Sequence, residues 1–240
     1  MRNKLGQYKR KYHLNEHYFD KIDDEHKAYW LGFLYADGYN DERRGRIVVS
    51  LHGKDIEILQ NFLKDLNSNH LIRKSKHTYT DNDICTIELS SRHLSQTLAK
   101  LGCYQCKSLT LSFPSSKYIS KKFLAPFLRG MWDGDGEIKI NKFSNRKYLY
   151  PHIAIYSSKV FCEQLQTVLT KLNFKSHIIN MRNPLNKSLY IKGGKKEIKK
   201  FLVWLYKDAS IYLNRKYANY LTILDMPDRK ERQSKPRHPQ

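Results

Sequence analysis

The chain has 240 residues, 40% of them hydrophobic and 28% charged, enough to fill two modest cores, and no apolar run approaches the length of a bilayer span, which sets a membrane partner aside. Lys and Arg number 44 against 23 Asp and Glu, a net charge of +21 with an isoelectric point near 9.7. That excess goes beyond the needs of solubility and points to a polyanionic partner. Cys85, Cys103, Cys106 and Cys162 have neither framework spacing nor a secretory segment, so an intracellular, reducing compartment is expected: a bacterial or phage-infected cytoplasm, or an organelle matrix. Cys103-Tyr-Gln-Cys106 lacks a second ligand pair for zinc and reads as two ordinary thiols near a helix end.

Residues 1–24 form a basic, aromatic lead-in, either a strap packed on the first repeat or an added DNA contact; packing through Phe19 and Ile22 is the favoured reading. That repeat spans residues 25–115. It opens with Trp30-Leu31-Gly32-Phe33-Leu34-Tyr35-Ala36-Asp37-Gly38, an apolar, helix-like stretch with small residues four apart that closes on Asp-Gly. Arg46 to Leu51 is strand-like, and Asp55 to Leu66 has helical spacing. Leu71 to His77 and Ile84 to Leu89 flank a turn at Thr80-Asp81-Asn82-Asp83, and Leu94, Leu98 and Leu101 mark another helix.

Residues 120–225 repeat the order. Leu128-Arg129-Gly130-Met131-Trp132-Asp133-Gly134-Asp135-Gly136 rewrites the first motif, with Pro126 tolerable only in the first turn of its helix. Glu137 to Asn141 and Tyr148 to Tyr156 form a strand pair, and Lys159 to Leu172 an amphipathic helix. Ser176 to Met181 and Ser188 to Lys192 form a second pair, and Ile198 to Leu205 a helix. The fold class is α+β, two pseudo-symmetric αββαββα repeats. Residues 226–240 are a charged, proline-bearing tail expected to be disordered.

Small residues four apart share a helix face, so each motif presents a groove into which the other's backbone fits. Packed together, the two helices bring Asp37 and Asp135 side by side at their C-terminal ends. There each carboxylate meets the negative pole of its helix and the other's charge. A cation belongs between them, and hard oxygen ligands in a sparse cage suit Mg²⁺.

The doubled motif resembles that of the LAGLIDADG homing endonucleases in their single-chain, two-repeat form. Lys27-Ala28-Tyr29-Trp30-Leu31-Gly32 is similar to the entry of the family's first helix, and Asp208 to Tyr217 to the closing segment of its second repeat. The motifs depart from the family pattern at Tyr35 and Arg129, and Arg129 is bulky enough to alter helix packing. The resemblance implies two antiparallel sheets forming a DNA-binding saddle, with the motif helices at the repeat interface. It implies a monomer that hydrolyses both strands of double-stranded DNA across the minor groove, at a long asymmetric site, leaving short 3′ overhangs. It makes Asp37 and Asp135, with the carbonyls of Ala36 and Gly134, the ligands for Mg²⁺, for which Mn²⁺ substitutes. Lys107 and Lys216 are its candidate basic residues beside the acids.

Basic runs in strand-like segments suggest a sheet with one basic face, and a two-stranded ribbon fits the major groove. Strand alternation turns Ile47, Val49 and Leu51 inward and Arg46, Val48 and Ser50 outward. Candidate DNA contacts are Arg43, Arg44, Arg46, Arg73, Lys74, Lys76, Lys139, Asn141, Lys142, Arg146, Lys147, Arg182, Lys187 and Lys192.

Two other classes compete. An intron maturase would bind its RNA, which the charge equally suits, but has no evident need for Asp37 and Asp135. A non-catalytic DNA-binding regulator would not retain both acids. A protein-splicing element is not expected, since Met1-Arg2 and His238-Pro239-Gln240 lack splicing residues.

Overall fold

The computed structural model describes residues 11–76, 83–142 and 149–227. The first repeat runs α1 (Glu25–Asp37), β1 (Gly38–Asp41), β2 (Arg46–His52), α2 (Ile56–Asp65), β3 (Arg73–Lys76), β4 (Asp83–Ser90) and α3 (Arg92–Lys100). The second runs α4 (Leu124–Asp135), β5 (Gly136–Lys142), β6 (Leu149–Ser158), α5 (Lys159–Lys171), β7 (Ser176–Asn180), β8 (Asn186–Ile191) and α6 (Gly194–Tyr206), and a further helix, α7 (Asn214–Asp225), comes after it. Each repeat builds one antiparallel sheet, in the orders β1-β2-β4-β3 and β5-β6-β8-β7. This is the expected α+β duplication.

Three helices start where the sequence supplies a capping side chain. Asp24, Ser91 and Ser158 accept hydrogen bonds from the backbone N–H groups of Lys27, Leu94 and Phe161 at the starts of α1, α3 and α5. Pro126 lies in the first turn of α4, after a 3-10 turn at Lys121–Phe123, where a missing N–H breaks no helical bond.

Alternation along the strands sends Ile47, Val49, Cys85, Ile87 and Leu89 under α2 and α3, and Ile153, Ile155, Leu189 and Ile191 under α5 and α6. Between the two halves lie α1 and α4. Every residue of α1 from Ala28 to Tyr35 is buried, as befits a helix apolar on all sides. The expected groove is real: a Cβ on Gly32 would lie 1.9 Å from the Phe127 carbonyl oxygen, and one on Gly130 2.0 Å from that of Tyr29. Backbone meets backbone, so any side chain at either position would drive the helices apart.

Residues 11–24 of the lead-in pack as a strap, with Phe19 fully buried and Tyr18 and Ile22 nearly so, and the Asn15 N–H donates to the Leu66 carbonyl at 2.9 Å. Cys103 is buried, its thiol donating to the Leu34 carbonyl at 3.3 Å, while Cys106 is exposed and neither is paired. Among the described residues, no helix is long and apolar enough to cross a membrane. Residues 1–10 of the lead-in, the turn at residues 80–82, Arg146, Lys147 and the tail beyond residue 227 lie outside the described residues.

Candidate active site

The two motif helices end on their acids, Asp37 and Asp135, and glycine turns the chain at once into a strand. A Cβ on Gly38 would sit 2.6 Å from the Leu34 carbonyl oxygen, and one on Gly136 2.6 Å from that of Trp132. The strand therefore folds back tightly over the last helical turn, leaving the aspartate side chain at the bend. The acids are neighbours, because a Cβ on Gly134 would meet Ala36 Cβ at 2.3 Å and Asp37 Oδ2 at 3.1 Å.

Neither carboxylate has a hydrogen-bond partner among the described residues. Burial, and then the charge of Asp135, push Asp37 up to about 6. Asp135 opens to solvent on one side, yet the surrounding protein still desolvates its carboxyl and raises its pKa. The charges that oppose these rises come from Lys107 and Lys216. Their influence crosses between repeats: of the two, Lys107 of the first repeat is the stronger on Asp135, and Lys216, in the closing segment of the second repeat, is the stronger on Asp37.

The two lysines are held differently. Lys107 comes directly after Cys106, a left-handed residue at φ 56°, and its buried ammonium donates to the Gly38 carbonyl. Lys216, in the first turn of α7, lies within hydrogen-bond distance of four carbonyls, those of Trp132 (2.6 Å), Asp133 (2.7 Å), Gly134 (3.2 Å) and Gly136 (2.7 Å). An ammonium has three donors, so its hydrogen bonds are saturated by the end of α4, where a cation also opposes the helix dipole. Burial draws Lys216 down to about 8, which leaves it charged at neutral pH. The Gly134 carbonyl, a candidate metal ligand from the motif, is thus already shared with Lys216. A cavity of about 220 Å³ is lined by Asp135, Ala36 and Lys107 together with Tyr156, Asn186 and Lys187, so both repeats contribute to it.

A third acid, Asp133, has a different role. Buried between helices, it accepts from Tyr29 Oη (2.9 Å), Tyr206 Oη (2.6 Å) and the Leu213 N–H (2.7 Å). Residues two apart on a helix do not share a face, and that spacing in Asp133-Gly134-Asp135 is the signal separating a structural acid from the site acid. Tyr35 takes the equivalent place in the first motif, its hydroxyl donating to the Leu101 carbonyl. Arg129 leaves the helix contact undisturbed, against expectation. Its guanidinium turns away to the carbonyls of Ile211 and Leu205, both at 2.8 Å, and to Glu25.

Strand register redistributes the basic residues. Arg46, Arg73, Lys139 and Asn141 pair with Ser90, Thr86, His152 and Tyr150 on the outer faces of the sheets. Lys74 and Lys76, opposite Cys85 and Asp83, share the helix-side register instead, as do Lys142 opposite Leu149 and Lys187 opposite Ser157. A run of consecutive basic residues on a strand must split between faces. Lys187 reaches Asn180 at 2.7 Å and borders the cavity at Asp135. The outer faces are also less basic than expected: Arg46 pairs with Glu88 at 2.7 Å and Lys139 with Glu137 at 2.6 Å. Arg43, Arg44, Arg182 and Lys192 are exposed on connections.

Comparison with known proteins agrees with this architecture. Residues 122–203 match the LAGLIDADG-like domain family. An uncharacterized protein of Methanocaldococcus jannaschii is 24% identical over 174 residues, 70% of this chain and 62% of the relative. A tRNA-splicing ligase of Pyrococcus abyssi is 31% identical over 121 residues, 45% of this chain and 13% of the relative. The chain thus spans less than two thirds of either. Among solved structures, the meganuclease I-SmaMI bound to DNA aligns with a TM-score of 0.58 at 12% identity, covering 85% of this chain and 88% of that one. The LAGLIDADG homing endonuclease I-GzeII in complex with its DNA target gives 0.55 at 11% identity, covering 82% and 88%. This chain is a two-repeat protein of the LAGLIDADG homing endonuclease fold.

Proposed function

We propose that the chain is a divalent-metal-dependent endonuclease that cuts both strands of double-stranded DNA at a long, asymmetric site, acting as a single chain. The observation that carries this reading is the adjacent pair Asp37 and Asp135, desolvated, without hydrogen-bond donors among the described residues, and set at the ends of two helices. Such a pair is costly unless a cation joins it, and its all-oxygen donor set fits Mg²⁺ or Mn²⁺. Asp37 and Asp135 would hold the ion with help from the Ala36 and Gly134 carbonyls. Bound there, it supplies charge neutralisation at the scissile phosphate and lowers the pKa of water.

The chain's own groups do the rest. Lys107 stands at the cavity beside Asp135, where a cation favours phosphate charge as it develops. Lys216 fixes the end of α4 and so the position of Asp135; its engagement with carbonyls supports a positioning role in place of direct catalysis. Arg46, Arg73, Lys139, Asn141 and the exposed Arg43, Arg44 and Arg182 are the surface from which phosphate and base contacts would come. Two divergent sheets need not read a palindrome, which accounts for asymmetry in the site. The resemblances to I-SmaMI and I-GzeII, whose structures hold DNA, support the choice of duplex DNA.

The test is sequencing of DNA ends after incubation with a diverse duplex library at physiological salt, in Mg²⁺ and in EDTA, beside Asp37→Asn/Asp135→Asn. Metal-dependent ends at one long motif, lost in the double variant, are expected. Absence of cleavage together with stable binding to structured intron RNA would replace this reading with the maturase.

A further inference from the structure

Away from the acid pair, three side chains with metal-ligand chemistry converge where the strap meets α3. His17 Nδ1 lies 2.7 Å from Asp20 Oδ2, and His93 Nε2 lies 2.6 Å from Asp20 Oδ1. The two imidazole centroids are 4.3 Å apart, and one donor atom from each of the three residues falls within 4.8 Å of the others. Both strap residues are anchored beside a buried neighbour, Phe19, and His93 sits in the first turn of a helix capped by Ser91, whose hydroxyl also bonds Glu16 of the strap. The backbones that present the ligands are therefore fixed while the side chains stay open to solvent, at 71%, 41% and 44% exposure.

We propose that His17, Asp20 and His93 form a site for a borderline divalent cation of the zinc class, with water completing its coordination, and that the ion staples the strap to the first repeat. Exposed His–carboxylate pairs alone gain little from converging on one point. Tetrahedral zinc with ligands at 2.0–2.2 Å sets its donors roughly 3.4 Å apart, so modest rotations of three exposed side chains open the cluster to that spacing. Two imidazoles and one carboxylate favour zinc, copper, nickel or cobalt over Mg²⁺, which separates this site chemically from the all-oxygen pair at Asp37 and Asp135. The ion would join residues far apart in the chain and so restrict the unfolded ensemble as well as the strap.

Zinc binding at this site is independent of any nuclease activity and is tested without it. An untagged full chain carrying Asp37→Asn/Asp135→Asn, so that the acid pair does not compete, is titrated with Zn²⁺ by equilibrium dialysis and with Co²⁺ by visible absorption. One tight equivalent is expected, retained in millimolar Mg²⁺, with zinc slowing proteolysis of the strap. His17→Gln and His93→Gln, both at exposed positions, should each weaken zinc at least about 10-fold and abolish the protection. Absence of a stoichiometric equivalent, or zinc binding unchanged in both variants, would overturn the proposal and leave the trio as ion pairs.

Discussion

The two repeats place their acids alike and support them differently. At equivalent motif positions the first repeat has Tyr35, donating to the Leu101 carbonyl, and the second has Asp133, accepting from the Leu213 N–H. The polarity of the tether is reversed. The lysines diverge as well: Lys107 bonds one carbonyl at the start of β1, whereas Lys216 gathers four around the end of α4. Duplication thus preserves what the backbone contact between α1 and α4 demands, glycines and a terminal Asp-Gly. The side chains that brace each acid were free to change. On each acid the stronger of the two lysines is the one from the other repeat, so the charges of both halves meet at the acid pair.

Substitution of the acids should have the largest effect. Asp37→Asn and Asp135→Asn should each reduce double-strand cleavage by at least about 100-fold, since outer-shell partners of a metal already cost about 10- to 100-fold, as read by single-turnover assays on supercoiled plasmid bearing the recovered site. Persistence of full cleavage in either would show that the acids do not act as a pair. Gly130→Ala should cost about 3 kcal/mol or more by overpacking, measured by urea unfolding, because its new methyl would have to displace the Tyr29 carbonyl.

The lysines sharpen the difference between repeats. Lys216→Met leaves several buried carbonyls without a donor and should destabilise by about 2–4 kcal/mol, against about 1 kcal/mol for Lys107→Met. Activity should show the reverse ranking once each variant is assayed well below its melting temperature. Equal stability losses would contradict the assigned positioning role of Lys216. The smallest effect belongs to the surface: Arg43→Ala or Arg44→Ala should weaken DNA binding and shallow its salt dependence by about one counterion each, without changing the sequence preferred.

The architecture was legible because its signal is local. Gly32, Ala36, Gly130 and Gly134 lie within nine-residue motifs, and strand and helix periods come after each in the same order. β1, Gly-Tyr-Asn-Asp, has little β-branched character and is defined only by pairing with β2. The side-chain supports were hidden because their partners are remote: Asp133 depends on Tyr29, Tyr206 and Leu213, and Arg129 on Glu25, Leu205 and Ile211. Basic runs were visible as charge, but the face of Lys74, Lys76, Lys142 and Lys187 depends on register, where a shift of one residue reverses the outcome.

The most direct test of the acid pair needs no DNA target. Asp37 has a folded pKa of about 6, above its ordinary 3.8, so in the absence of metal its ionisation opposes folding as pH rises from about 4 through 6. Thermal and urea unfolding of Asp37→Asn beside the parent chain, in EDTA at pH 4 and pH 8, measures that cost. The variant should be more stable by about 1–3 kcal/mol at pH 8 and lose that advantage near pH 4, while Mn²⁺ should raise the stability of the parent alone. A variant no more stable than the parent at pH 8, or one that Mn²⁺ stabilises equally, would contradict a strained carboxylate pair waiting for a cation.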